Sequence, residues 1–482
     1  MDAMSGRRRW LALPVVCVGE MMIILDVVIV GVALPWIRQD LAFSDDTLVW
    51  VVNAYLLTSG GFLLLGGRLG DYFGHRRMFL IGIALFTLSS VACGIATSQE
   101  LLIAARAVQG VGGALISAVG LSLVMTMFVD PKERTKAMGV FGLVVAGGGA
   151  VGVLLGGILT DAFDWRWIFY INVPVGIALF TLSLWLLPAT RSRSAKGRLD
   201  VAGAVTATTS LTLLAYAIAN ANTWGWASTQ TLGVLAGAGA LMVLFVVIER
   251  RVRFPLVPLP LLGRRNIAVS NVVAGSWAAA QYAWFFFTAL YLQVVLGYSA
   301  IQIALAFFAP RVIMGVVSVG LSARLVIRFG IRPPLATGLA SVALGLVLLS
   351  RAPVDGSFAL DVLPGMILVG IGTGMAFNPL YVSAMNDVGG AESGLGSGFV
   401  NTSFTLGGAI GLAALVSLAT ARTDSLASSG SEQLAALTGG YHAGLLVGAL
   451  FAATAAACAA LLLRFGAAPD QASQAEPSTG SA

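Results

Sequence analysis

Asp26 and Glu20 are the only carboxylates set deep inside an apolar run of this chain, and Arg106 and Arg311 are the only bases so placed. Placing an Asp or a Lys at the middle of a membrane helix costs about 2.5–3.5 kcal/mol, so such residues persist with a partner or a function. Arg106 lies roughly 8 Å inside its span and Asp26 about 13 Å from the same surface, at 1.5 Å of rise per residue. The two are therefore matched in depth. An acid paired to a buried arginine can act as a proton switch, because protonation releases the arginine and lowers the cost of burying the site. A purely structural pair holding two spans together is the plainer alternative. Gln109 follows Arg106 by three residues and shares its helix face. Glu20 stands six residues before Asp26, about 240° round the helix, and so faces elsewhere. It is a second proton-coupling candidate, with a protonated or water-facing acid as the alternative. Arg311 follows Pro310. Anion recognition is one reading of it; snorkelling, or pairing with the midplane acids, is the other.

The elements that carry these residues are membrane spans. Of 482 residues, 58% are hydrophobic and 10% charged, whereas a soluble domain carries about 25% charged residues. Apolar runs long enough to cross a bilayer, roughly 20 residues each, recur about fourteen times from Trp10 to the stretch near 442–463. An all-α polytopic membrane protein is expected. The first run follows Arg7, Arg8 and Arg9; it exceeds the 7–15 residues, roughly, of a signal-peptide core and reads as a retained span.

With the N-terminus inside, the cytoplasmic segments hold 22 of the 28 basic residues and the outer loops hold four. The positive-inside bias thus predicts that both ends are cytoplasmic. No loop has room for a soluble catalytic domain. The three lysines, Lys132, Lys136 and Lys196, follow Pro, Thr and Ala, so no nucleotide-binding Gly-Lys-Ser/Thr is present. The three cysteines, Cys17, Cys93 and Cys458, lie in apolar runs and offer neither a disulfide framework nor metal spacing. The net charge of +6 comes from loops rather than from a basic face, which argues against nucleic acid as a partner.

Three stretches recur at an offset of roughly 256–260 residues, the signature of an internal repeat. Arg68-Leu69, Phe73-Gly74 and Arg76 return as Arg324-Leu325, Phe329-Gly330 and Arg332; Gly110 and Gly112 return as Gly370 and Gly372; Gly148-Gly149-Ala150-Val151-Gly152 returns as Gly407-Gly408-Ala409-Ile410-Gly411. Asp71 has Ile327 as its counterpart, so the acid is not required for the turn. Two parallel six-helix halves flanking an unmatched pair follow, with a midplane site between them. The division reads 1–190 for the first bundle, 191–265 for linkers and two extra helices, 266–465 for the second bundle, and 466–482 as a disordered cytoplasmic tail.

Gly67-Arg68-Leu69-Gly70-Asp71-Tyr72-Phe73-Gly74-His75-Arg76-Arg77 resembles the loop signature of the major facilitator superfamily, in its fourteen-spanner drug:proton antiporter branch. Arg106 through Ala114, Leu25-Asp26 with Val32-Ala33-Leu34-Pro35, Trp165 through Pro174, and Tyr291-Leu292-Gln293 are similar to further motifs of that branch. Val153 stands where the fifth-span motif has proline, and Phe404 and Thr405 where the branch often has Arg-Gln. The resemblance implies the major facilitator fold, with Asp26, Arg106 and Glu20 in proton coupling. It implies a gating loop of Gly67, Asp71, Gly74, Arg76 and Arg77, and helix packing at Gly148, Gly152, Gly156 and Gly157. Gln109, Arg311 and one face of the ninth span (Trp277, Gln281, Trp284 and Thr288, at i, i+4, i+7 and i+11) would line a substrate cavity; aromatic residues packed in the core, or facing lipid, are the alternative.

The function implied is export of amphiphilic drugs or antibiotics across the bacterial cytoplasmic membrane in exchange for protons. No cofactor is expected beyond the proton, and no enzymatic activity. Small lipophilic substrates, protons and membrane lipids are the expected partners, and the chain is expected to be a monomer. Two rivals stand beside this reading: a proton-coupled carrier of an endogenous anionic or lipid-like metabolite, and a non-transporting sensor or scaffold.

Overall fold

The computed structural model of the chain describes residues 6–128, 130–188, 200–252, 255, 260, 263–385 and 393–463. The tail 466–482, Gly197 in the linker and the acids Asp387 and Glu392 lie outside the described residues. Among the described residues there is no strand. Fourteen long helices follow one another: α1 Gly6–Asp40, α2 Asp45–Phe73, α3 His75–Gly94, α4 Gln99–Met127, α5 Pro131–Ala162, α6 Asn172–Leu186, α7 Val201–Trp224, α8 Thr229–Arg251, α9 Arg265–Leu290, α10 Ala300–Val316, α11 Arg332–Leu349, α12 Leu363–Met385, α13 Ser393–Ser428 and α14 Gln433–Leu462. Among the described residues, twelve spans are long and apolar enough to cross a membrane; α2 and α5 hold the shorter apolar runs Thr47–Leu63 and Gly147–Ala162.

Several spans are broken at their ends. A one-turn helix, Trp167–Tyr170, precedes α6. Wide π turns follow α9 (Tyr291–Val295) and α10 (Val317–Ser322) and precede α12 (Phe358–Val362). Residues 323–329 then complete the tenth span as a short helix. The end of the molecule at which α1 begins is called the near end below, and the end at which α1 finishes the far end.

The internal repeat is written in the packing. Helices α1 to α6 form one set and α9 to α14 a second. Gly112 of α4 sits against Gly82 and Phe86 of α3, and its counterpart Gly372 of α12 sits against Gly338 and Val342 of α11. Gly148 and Gly152 of α5 meet Met21 and Leu25 of α1, while Gly407 and Gly411 of α13 meet Gly275 and Ala279 of α9. Such small residues let backbones approach closely where lipid offers no hydrophobic drive for helices to associate. Gly148, Gly152 and Gly156 recur every four residues and so form one groove along α5 that receives Met21, Leu25 and Ile29.

The near end repeats as well. Gly74 (φ +92°) and Gly330 (φ +80°) make the equivalent tight turns, in a region of backbone that glycine alone enters freely. The Arg76 guanidinium donates to the Leu184 carbonyl at the end of α6, and Arg332 to the Ala460 carbonyl at the end of α14. Arg8 of α1 donates to Trp185 (2.6 Å), and Arg265 of α9 to Leu462 (2.8 Å). Cations on the last carbonyls of a helix satisfy orphan acceptors and complement its dipole. These arginines therefore tie helix ends together as well as biasing topology.

Helices α7 and α8 form a hairpin held by Ser210, which donates to the Ala238 carbonyl (2.7 Å). The hairpin lies against α2 and α13 through α7: Thr208 fills the space over Gly61, and Tyr216 stacks near Trp50 at 6.0 Å. Helix α8 turns Leu232, Val243, Leu244 and Val247 outward, an apolar face that suits lipid. The two sets meet from midplane to the far end: Gly60 against Leu406, Gly31 against Phe285, and Gly157 against Ala304.

A Cβ on Gly372 would collide with backbone atoms of Gly338 and Val342, whereas Gly237 on α8 has open space. Gly372→Leu should therefore lower thermal stability by an amount typical of overpacking, about 1–3 kcal/mol. Gly237→Leu should leave it within about 0.5 kcal/mol. Thermal unfolding of the purified variants in detergent measures both; equal losses would show that the α11–α12 approach is not tight.

A buried ion pair as candidate functional site

Asp26 projects from α1 into the interior of the first set, where it is 1% exposed. Arg106 of α4, also 1% exposed, donates from its Nη1 to Asp26 Oδ2 at 2.5 Å. The depth match read from the sequence thus corresponds to a contact. The other carboxylate oxygen, Oδ1, accepts from Gln109 Nε2 at 2.7 Å and from Asn172 Nδ2 at 3.1 Å. Three N–H donors converge on one carboxylate.

The arginine is held from its other side. Its Nε donates to the Val51 carbonyl of α2 (3.0 Å), Nη1 also donates to Gln109 Oε1 (2.6 Å), and the guanidinium lies 4.4 Å over the Tyr55 ring. Gln109 spans the pair, because its oxygen takes the arginine and its nitrogen serves Asp26 and Ser90 Oγ (2.8 Å). Asn172 repeats the pattern, reaching Asp26 and Ser90 (3.3 Å) from the start of α6. A buried ion pair survives desolvation when its remaining lone pairs and protons are satisfied, and here each partner has further hydrogen bonds. All contributors, on α1, α2, α3, α4 and α6, belong to the first set, so a change at Asp26 acts on how that set packs. Asn172, Ser90 and the Tyr55 ring were missed from sequence; Asn172 falls inside the Trp165–Pro174 motif, which was the available signal.

Glu20 faces a different space. Its Oε1 accepts from Ser117 of α4 (2.8 Å), and Oε2 is buried without a donor. Counting along α1, Glu20, Ile24, Val27 and Gly31 share one face. Gly31 of that face receives the Phe285 ring of α9.

In the second set, Trp277 packs on Phe404 (5.3 Å) and Phe377 (6.4 Å), and Trp284 on Phe307 (5.3 Å). Gln281 accepts from Thr373 of α12 (3.2 Å), and Thr288 is buried. The four residues share one face of α9, and that face looks into the second set. Large rings pack there against α10, α12 and α13. Contacts of α9 toward α1 come instead from Phe285. Gln281 and Trp284 also line a narrow recess within the second set, with Arg311, Met314 and Thr373.

Of the near-end loop, Gly74 makes the turn, Gly67 has open space around it, Arg76 caps α6 and Arg77 is exposed. The side chain of Asp71 lies outside the described residues. At the far end, Arg166 bridges to Asp40 (2.8 Å) and stacks on Trp165, and Tyr291 donates to the Pro353 carbonyl (2.6 Å). These contacts use three of the motif residues named above.

Residues 16–412 match the Major Facilitator Superfamily. The chain belongs to this superfamily. It is 37% identical over 442 residues to the puromycin resistance protein pur8 of Streptomyces alboniger, covering 90% of this chain and 87% of that one. It is likewise 37% identical over 438 residues to the cephamycin export protein CmcT of Amycolatopsis lactamdurans, covering 90% and 89%. Among solved structures, a bacterial homologue of the human lysosomal transporter Spinster in an inward-facing conformation superposes with a TM-score of 0.68 at 16% identity. That match covers 95% of this chain and 97% of the other, and its likeness concerns the fold alone. The protein is thus a multi-pass membrane transporter of the major facilitator superfamily, not an enzyme, and its relatives include antibiotic resistance and export proteins.

Removing one partner of a buried pair strands the other charge, at a typical cost of about 3–5 kcal/mol. Arg106→Met should therefore lower the thermal stability of the purified transporter markedly. Adding Asp26→Asn to it should recover a large part of the loss, because no unpaired charge then remains. Thermal unfolding of the wild type, both single variants and the double variant gives the coupling; strictly additive losses would show that the pair is not an energetic unit.

Proposed function

We propose that this transporter exports amphiphilic drugs or antibiotics from the bacterial cytoplasm in exchange for protons, with Asp26 as the proton-binding group. The observation that carries the reading is the fully buried Asp26–Arg106 pair within the first set. Protonated, Asp26 no longer offers a full charge to Arg106, Gln109 and Asn172, and the arginine keeps only the Val51 carbonyl and Gln109 as acceptors. The contacts of α1 with α4 and α6 weaken together. Helix α1 also carries the far-end contact to α9, through Gly31 and Phe285. A proton on Asp26 therefore biases the rocking of one set against the other, which alternates access to the space between them.

The basic residues favour the near end as the cytoplasmic one. The exported compounds would follow the chemistry of the relatives' named antibiotics, puromycin and cephamycin. Arg311, a cation bordering the space between the sets, favours one second reading: a carrier of an endogenous anionic or lipid-like metabolite working by the same proton exchange.

Asp26→Asn mimics the permanently protonated state. In proteoliposomes it should lose pH-gradient-driven uphill transport of ethidium or puromycin, while downhill exchange of the same compound persists. Undiminished uphill transport by Asp26→Asn would overturn the assignment of the proton to Asp26.

A further inference from the structure

The two sets meet along two seams that the internal repeat makes equivalent: α2 of the first set lies along α13 of the second, and α5 lies along α10. In the second seam, Ala304, Arg311 and Gly315 share one face of α10, at i, i+7 and i+11. Toward the far end the Ala304 methyl lies against Gly157 of α5. One stretch nearer the other end, Arg311 Nη1 is 3.9 Å from the position a Cβ on Gly149 would take. At Gly315 a Cβ would meet open space. The seam is therefore a wedge, shut at the far end and open toward the near end.

Below that opening α10 stays with its own set. The π turn Val317–Ser322 is bonded to α12, where Asn378 Nδ2 donates to the Ser318 carbonyl (3.0 Å) and Ser322 Oγ donates to the Met375 carbonyl (3.1 Å). Such π segments are frequent at functional sites.

The two seams differ in what lies outside them. Helix α7 runs over the α2–α13 seam: Ala204 packs with Leu65 and Thr208 fills the space over Gly61. Higher up, Ala215 of α7 belongs to the apolar cluster that holds Ala409 and Ala413 of α13. Arg68 of α2 also donates to the Pro255 carbonyl, beyond the end of α8 (3.4 Å). Among the described residues no helix covers the α5–α10 seam from outside. Its flanks are Val151 of α5 and Val312 and Val316 of α10, all exposed, and apolar side chains there suit contact with hydrocarbon.

We propose that the α5–α10 seam is a lateral portal through which lipophilic substrates dissolved in the near-end leaflet enter the space between the sets. The α7–α8 hairpin keeps the equivalent α2–α13 seam closed to them. A molecule moving from Val312 and Val316 onto the Gly315 face stays among apolar groups, so it never has to expose its apolar surface to water. The inserted pair thus leaves the transporter one side entrance instead of two. The proposal rests on the exporter reading for what passes through the portal.

Two measurements test it. Gly315→Cys and Thr402→Cys place a bimane fluorophore in the near half of each seam, Thr402 lying one turn from Leu406 on the face of α13 that meets Gly60. In proteoliposomes, a doxyl-labelled alkane dissolved in the bilayer should quench the Gly315 label strongly and the Thr402 label little. Equal quenching of the two would overturn the proposal. In energised cells, Gly315→Cys is then modified after folding with benzyl methanethiosulfonate, with wild type treated identically. The modification should remove most of the efflux of Nile red, which resides in the membrane, and spare export of puromycin, which is dissolved in water. Reduction of the mixed disulfide should restore Nile red efflux. Equal losses of both compounds, or of neither, would overturn the proposal. Export of neither compound by unmodified protein would count against the exporter reading, and the quenching contrast would still decide whether the seam admits molecules from the leaflet.

Discussion

The cost of a charge inside a bilayer governs this molecule. Asp26 and Arg106 have no water to turn to, and the first set is arranged so that they need none. Three amide or guanidinium donors reach the carboxylate, and a helix carbonyl, an amide oxygen and an aromatic face hold the arginine. Such a network is sensitive to a single proton because its members are interdependent. Gln109 serves both partners at once, its oxygen accepting from Arg106 and its nitrogen donating to Asp26, and Asn172 joins α6 to the same carboxylate. An ion pair exposed to solvent would lose little on protonation; a buried one rearranges its surroundings.

That sensitivity is useful only if the surrounding helices can move as a unit, and the packing supplies this. Glycines at equivalent places in the two sets bring helices close enough to interlock, with α5 grooved for α1 and α13 for α9. At the near end, arginines at the starts of α1, α3, α9 and α11 are bonded to the last carbonyls of α6 and α14. Each set is thereby closed by contacts internal to it. The contacts between sets include apolar ones, an aromatic ring over Gly31, small residues at Gly157 and Ala304, and Leu406 over Gly60. Apolar surfaces of this sort separate and rejoin without stranding a polar group.

Much of this was legible in the sequence, for a physical reason. Ionisable residues in membrane helices are rare, so Asp26 and Arg106 stood out and their depths could be compared from helical rise alone. The repeat was legible because close backbone approach demands glycine, and the same demand arises at Gly112 and Gly372, and at Gly74 and Gly330. Asn172 and Ser90 were not legible, since uncharged polar residues are tolerated in membrane helices and only the fold brings these two beside Asp26. The face of α9 bearing Trp277 and Trp284 was legible as one face, but its direction was not. Whether a tryptophan lines a cavity or packs on Phe307, Phe377 and Phe404 depends on the rotation of the helix, which spacing leaves open. The π turns that break the ends of the ninth, tenth and twelfth spans left no periodic signature either.

The proposed exchange with protons assigns the proton to Asp26 and not to Glu20. Infrared difference spectroscopy on the purified protein in lipid, acidified stepwise, observes the carboxyl group directly. A protonated-carboxyl C=O band should grow on acidification of the wild type, persist in Glu20→Gln and be absent from Asp26→Asn. A band that persists in Asp26→Asn and vanishes in Glu20→Gln would assign the proton to Glu20 instead.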